Sequence, residues 1–273
     1  KTDENQSLYL RPFDSPDAAR ELVPPAPVYY AGVVFDPEGK YIYYTTFSQN
    51  YAERTLFRIS VAENSAPEKV LDDVNSAIGF APDGRRFAFY SFNRQTRLIS
   101  LLVAQLSDAG GAVVSTRTLA SQAQPNVYVG NPSFSPDGRK IFYPVGLTVE
   151  KKQFVNFFIY DLEKNTEEKF SDLTFGDVSA TVWRANGSEI VVSGNQRDNT
   201  PFQLWLISYP SGEATRLTND LASYYGLSVA RNASVLVTAK RERTANLSIA
   251  ELDGAFVSEP LTDDSEKQNG LHG

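Results

Sequence analysis

The chain has 273 residues, 41% hydrophobic and 12% aromatic, with a net charge of −7. That is enough apolar material for one large domain or two small ones, and the acidic balance argues against nucleic acid as a partner, because phosphate binding needs a basic face. With no cysteine, disulfides and thiolate metal sites are excluded.

No apolar run approaches the length of a membrane span and no signal peptide is legible, so any membrane segment is expected outside these residues. With Lys1 at the start and no methionine, the sequence reads as a processed or excised piece of something longer.

The first elements in chain order are two β-rich phrases, SLYLRPF from Ser7 to Phe13 and RELVPP from Arg20 to Pro25. They resemble the third and fourth strands of a unit whose first two strands do not precede them. From Phe35 onward a repeat runs through the chain. Phe35 opens FDPEGKYIYY, Phe80 opens FAPDGRRFAFY, Phe134 opens FSPDGRKIFY, Trp183 opens WRANGSEIVVS, and Ala230 opens the worn copy ARNASVLVTA.

Each copy has a short apolar strand, a turn, an alternating strand, a polar loop and two further strands. Four antiparallel strands in about 45–54 residues is the unit of a β-propeller blade. The prediction is therefore an all-β chain with one domain over 1–273: five four-stranded blades plus a partial blade, a fragment of a larger propeller. Blade turns are placed at 36–39, 81–84, 135–138, 184–187 and 231–233.

The turns admit a chemical reading as well as a structural one, since Asp beside Gly with cations behind could hold an anion or a metal. The structural reading is preferred. Proline presets φ, the acidic or amide side chain bonds nearby backbone amides, and glycine supplies the positive φ that closes the hairpin. The following cations are expected to face solvent. Phe35, Phe80, Phe134 and Trp183 are expected to be buried between blades.

Catalytic parts are missing. His272 is the only histidine, so no internal Ser-His-Asp or Cys-His set exists. GLSVA from Gly226 to Ala230 grazes the G-x-S-x-G nucleophile motif, but it falls on a strand and lacks the last glycine. No Walker loop, dinucleotide fingerprint or calcium loop is present, so no cofactor is expected. The acidic pairs Asp72-Asp73 and Asp263-Asp264, like Asp172 and Asp220, recur after the fourth strand and read as turn caps.

A propeller binds at its faces. Tyr29, Tyr128 and Tyr224 lie six residues before the anchor of their blades, with Tyr30 and Tyr225 directly after two of them. They are expected in the loops from strand four to the next strand one, nearest the central channel, beside Asp172, Asp220 and Asp263. The loops from strand two to strand three carry cations instead: Arg94, Arg97, Lys151, Lys152, Arg197, Lys240, Arg241 and Arg243. Tyr29, Tyr30, Tyr128, Tyr224, Tyr225, Asp172 and Asp220 are thus the candidate ligand-binding residues, with no catalytic or metal site. The competing expectation is that these tyrosines wedge neighbouring blades together.

The repeats resemble the TolB-like propeller family, with its S-P-D-G-[KR] turns. Two longer phrases, from Ser7 to Tyr44 and from Leu206 to Val229, resemble the C-terminal propellers of acidobacterial-type serine/threonine protein kinases. Such a resemblance implies a cytoplasmic kinase domain, a membrane span and a propeller outside the membrane, with blades continuing beyond the equivalent of NGLHG (Asn269 to Gly273). It transfers no catalytic residue to this chain. The functional expectation is a non-catalytic sensory or protein- or ligand-binding module of a larger bacterial signalling protein, a receptor-like serine/threonine kinase or a regulator, that takes a protein, peptide or small ligand on its channel-side face. The alternatives are the propeller of a prolyl-oligopeptidase-type hydrolase and a periplasmic TolB-like scaffold.

Overall fold

The computed structural model describes residues 5–12, 14–15, 17–62, 65–107, 111–197, 200–229, 235–242, 248–250 and 258–260. Among them there is no helix, and antiparallel strands follow one another as the repeat requires. β1 (Gln6–Leu10) and β2 (Arg20–Ala26) form a two-stranded pair. The first blade is β3 (Val28–Phe35), β4 (Tyr41–Ser48), β5 (Arg54–Ser60) and β6 (Glu68–Asp72). The second is β7 (Gly79–Phe80), β8 (Arg86–Asn93), β9 (Leu98–Leu106) and β10 (Val113–Ala123).

The third blade opens with two short strands, β11 (Val127–Tyr128) and β12 (Ser133–Phe134), both paired to β13 (Lys140–Val149). Gly130 at φ 59° and Pro132 interrupt the inner strand between them. β14 (Lys152–Asp161) and β15 (Thr166–Phe175) complete it. The fourth blade is β16 (Asp177–Trp183), β17 (Glu189–Asn195), β18 (Gln203–Ser208) and β19 (Ala214–Arg216). Two pairs follow, β20 (Ser223–Val229) with β21 (Leu236–Arg241), and β22 (Ser248–Ala250) with β23 (Ser258–Pro260). The blades are arranged as a β-propeller.

The repeated turns are hairpin closures. Gly39, Gly84, Gly138 and Gly187 all have φ between 67° and 75°, the left-handed region that glycine enters without steric cost. Each amide donates to the carbonyl three residues back, as Gly138 N does to Ser135 O at 2.8 Å. Asp137 accepts from the Arg139 amide at 3.0 Å and from Ser135 Oγ at 2.6 Å. These bonds hold its carboxyl below the usual carboxylate range, the Ser135 hydroxyl contributing most. The acid therefore serves its own backbone, as an Asx-turn does.

The cations behind the turns do not simply face solvent. Arg86 pairs with Asp83 at 2.7 Å and sits over the Phe134 ring of the next blade, 5.7 Å from its centroid. Lys140 pairs with Asp161 at 2.7 Å. The fifth turn, 231–233, lies outside the described residues.

The core runs between blades. Phe80 meets Tyr43 of the first blade edge-on at 4.9 Å, and Trp183 meets Phe142 of the third at 6.4 Å. Phe134 and Trp183 are buried and Phe80 is half-buried. Phe35 departs from the expectation, with 46% of its surface exposed. Its counterparts lean on the second strand of the preceding blade. Among the described residues, the pair preceding Phe35, β1 with β2, contributes Leu8, Leu10, Leu22 and Val23, which pack with Ile42, Tyr44 and Ile59.

Candidate functional site

The inner strands of the four blades and β20 converge on one channel. Ala31 to Val34, Ala77 to Phe80, Gly130 to Phe134, Ser179 to Trp183 and Gly226 to Val229 enclose a cavity of about 330 Å³. Close approach demands small residues there: a Cβ at Gly32 would collide with the Ala77 side chain, and one at Gly79 with the Pro132 carbonyl.

Polar groups in the wall are largely spent on joining blades. The Asn131 amide donates to Thr181 O at 3.0 Å and accepts from Thr181 N at 3.0 Å, while Thr181 Oγ1 donates to Asn131 O at 2.7 Å. Ser133 Oγ accepts from Trp183 N at 2.8 Å. Ser179 Oγ accepts from Gly226 N at 3.2 Å. Ser228 lies on β20, exposed toward the channel.

The candidate tyrosines sit on strands, not in loops. Tyr29 and Tyr30 belong to β3, Tyr128 to β11, and Tyr224 and Tyr225 to β20, because the first strands stay paired to their partners past the expected start. The structure does not bring them together around one ligand. Tyr128 keeps 6% of its surface exposed, stacked on Tyr90 of the second blade at 4.7 Å and edge-on to Tyr143 at 5.7 Å. It is a wedge between blades, and burial pushes its phenol up. Tyr30 is half-buried against Tyr44.

Tyr224 donates to Asp220 Oδ2 at 2.8 Å. This bond raises the phenol and, with the Ala222 amide and Lys240, lowers the carboxyl. Tyr225 packs on Phe202. Asp172 is not a strand-end cap. It lies within β15 because the ladder with β14 continues past a register shift, and it is fully exposed and paired to Lys169 at 2.8 Å. Asp263 and Arg243 lie outside the described residues.

Tyr29 has different company. The register places Tyr29 opposite Phe47 and Phe47 opposite Arg54, a row across three strands on one face of the first blade. The hairpin tip between β4 and β5 adds Tyr51, stacked on Tyr29 at 5.6 Å and 18° and edge-on to Phe47 at 6.1 Å. Tyr51 is 51% exposed and has φ 55°, an uncommon conformation for a bulky side chain. Bonds from the Tyr51 amide to Ser48 O at 2.7 Å and from the Ala52 amide to Asn50 Oδ1 at 3.0 Å hold the tip.

Arg94, from the hairpin of the second blade, donates to Tyr51 O at 2.7 Å and to Ala52 O at 3.1 Å. The Arg54 guanidinium lies 5.7 Å from the Phe47 ring centroid. Sequence reasoning found Tyr29 and Arg94 but missed Phe47, Tyr51 and Arg54. The register of a hairpin would have found Phe47 and Arg54; the fold of Tyr51 back over Tyr29 carries no sequence signal. Among the described residues no group of three or more His, Asp or Glu side chains could hold a metal ion, and no helix is long and apolar enough to cross a membrane.

No family model matches the sequence, and no curated protein matches it either. The likeness is in structure. TolB from Acinetobacter baumannii superposes with a TM-score of 0.64 at 16% identity over 92% of this chain, which spans 58% of that chain. A protein of Agrobacterium tumefaciens assigned as TolB gives 0.60 at 17% identity, covering 89% of this chain and 84% of its own. The β-propeller domain of the trilobed protease from Pyrococcus furiosus, which has an open velcro topology, gives 0.54 at 14% identity, covering 95% and 75%. At these identities the comparison establishes the fold, and the chain has the architecture of the TolB-like β-propellers.

Proposed function

We propose that this chain is a non-catalytic protein- or ligand-binding β-propeller within a larger bacterial signalling protein, a receptor-like serine/threonine kinase or a regulator, placed outside the cytoplasm. The observation that carries the reading is the channel. Inner strands of the four blades and β20 converge there on small residues such as Gly32, Ala77 and Gly79, and Asn131, Ser133 and Ser179 bond across from blade to blade, which makes a rigid recognition surface with no base beside Ser228 among the described residues. The kinase association rests on the phrases from Ser7 to Tyr44 and from Leu206 to Val229.

The hydrolase reading has one observation in its favour, the shared fold with a protease propeller domain. The scaffold reading has the likeness to TolB. The coding sequence on either side of these residues separates the three. A protein-kinase catalytic loop supports the proposal, whereas a G-x-S-x-G elbow or a plain secretion signal overturns it. For the chain itself, ester and peptide substrates should show no turnover; activity abolished by Ser228→Ala would refute the non-catalytic assignment.

A further inference from the structure

We propose that the aromatic platform of Phe47 and Tyr51, rimmed by Arg54 and Arg94, binds an acidic saccharide, with a uronate ring lying on Tyr51 and its carboxylate held by the guanidinium groups. The inference deepens the binding-module reading and rests on it, but it concerns a site apart from the channel.

Three observations carry it. The first is the exposed aromatic surface. Tyr51 is half exposed at a hairpin tip, and its ring is braced from behind by Tyr29 and at its edge by Phe47. A ring that served only the core would be covered. This one presents a supported flat surface of the kind on which the C–H face of a pyranose packs, with a hydroxyl at its rim for hydrogen bonding.

The second is the tip's rigidity. The left-handed φ of Tyr51 is uncommon for a bulky residue. The tip holds it through Ser48, Asn50 and Ala52, and Arg94 reaches across from the second blade to bond the carbonyls of Tyr51 and Ala52.

The third is charge. Arg54 lies over the Phe47 ring and Arg94 bonds the Tyr51 and Ala52 carbonyls, so two cations meet the same aromatic tip. The guanidinium of Arg54 is held below its ordinary value by burial first and then by Arg94, with Asp73 acting in the opposite direction. Two neighbouring guanidiniums beside an open aromatic face suit an incoming carboxylate, whose two oxygens match the arginine fork. The remaining acids near the tip, Glu53 and Asp72, are not set against the platform: Glu53 closes the hairpin through its backbone, and Asp72 is taken by Lys69 and Thr55.

The test is a titration of the chain with an alginate-derived tetrauronate, followed by calorimetry and by fluorescence, with cellotetraose as the neutral control. The tetrauronate should bind and the neutral sugar should bind at least 10-fold more weakly. Tyr51→Gly, which relieves the backbone, should keep the melting temperature and weaken binding at least 10-fold. Arg94→Gln should weaken it about 5-fold and flatten its salt dependence. Ser228→Trp, which fills the channel, should bind the tetrauronate like the parent chain, so that this site and the channel fail separately. No binding by the parent chain, equal binding of cellotetraose, equal binding of a glutamate-rich peptide, or full binding by Tyr51→Gly would each overturn the proposal.

Discussion

Asn131→Ala isolates one joint of the propeller. Its amide stands in for a strand residue, giving one bond to the carbonyl and taking one from the amide of Thr181, each at 3.0 Å. Thr181 is buried and pairs on its other side with Val192 of β17, so its outward amide and carbonyl have the Asn131 side chain for a partner. Truncation leaves both unpaired. An orphaned buried polar group costs about 1–3 kcal/mol, and channel water will satisfy part of the demand, so about 2–4 kcal/mol in total is expected.

Urea unfolding monitored by tryptophan fluorescence gives the free energy, and hydrogen exchange gives the location: protection should fall at Thr181 before it falls at Val191 or Val192. Asn131→Asp should not rescue, because it returns an acceptor for the amide but sets a carboxylate against the Thr181 carbonyl. A loss below about 0.5 kcal/mol, or unchanged exchange at Thr181, would refute the idea that side-chain bonds at the channel wall hold the blades.

Trp183→Ala should cost about 3–5 kcal/mol in the same unfolding assay, whereas Phe35→Ala, half exposed at the equivalent position, should cost about 1 kcal/mol or less. Gly79→Ala should cost about 1–3 kcal/mol through collision with Pro132, read as a drop in melting temperature. Asp161 is held at about 2, first by Lys140 and then by the Lys164 and Glu163 amides. A depressed folded value contributes stability that is present above the usual carboxylate value and is lost as pH falls through about 2. Lys140→Met removes the largest part of that contribution, leaving the Lys164 and Glu163 amides in place, and should move the acid-unfolding midpoint to higher pH.

Most of the architecture was legible because the turn is local: Gly39, Gly84, Gly138 and Gly187 need positive φ whatever surrounds them. The exposure of Phe35 was not legible, because burial of that position is decided by the second strand of another unit. The tyrosine ring failed for a related reason. Tyr29, Tyr128 and Tyr224 share an offset from their anchors, but one stacks on a hairpin tip, one fills a blade interface and one bonds an aspartate. Position in a repeat fixes where the backbone runs, whereas the neighbours that decide a side chain's work come from adjacent blades and differ at every joint.

Those unequal joints carry a mechanical consequence. Between the first and second blades, Thr45 Oγ1 donates to Ser76 O and Tyr43 meets Phe80. Between the third and fourth, the Asn131 amide, the Thr181 hydroxyl and Ser133 all bond across, backed by Phe142 against Trp183. Under tension applied along the chain, such a structure yields link by link instead of all at once. The joint between the third and fourth blades should part after the joint between the first and second, giving force traces with steps of unequal height.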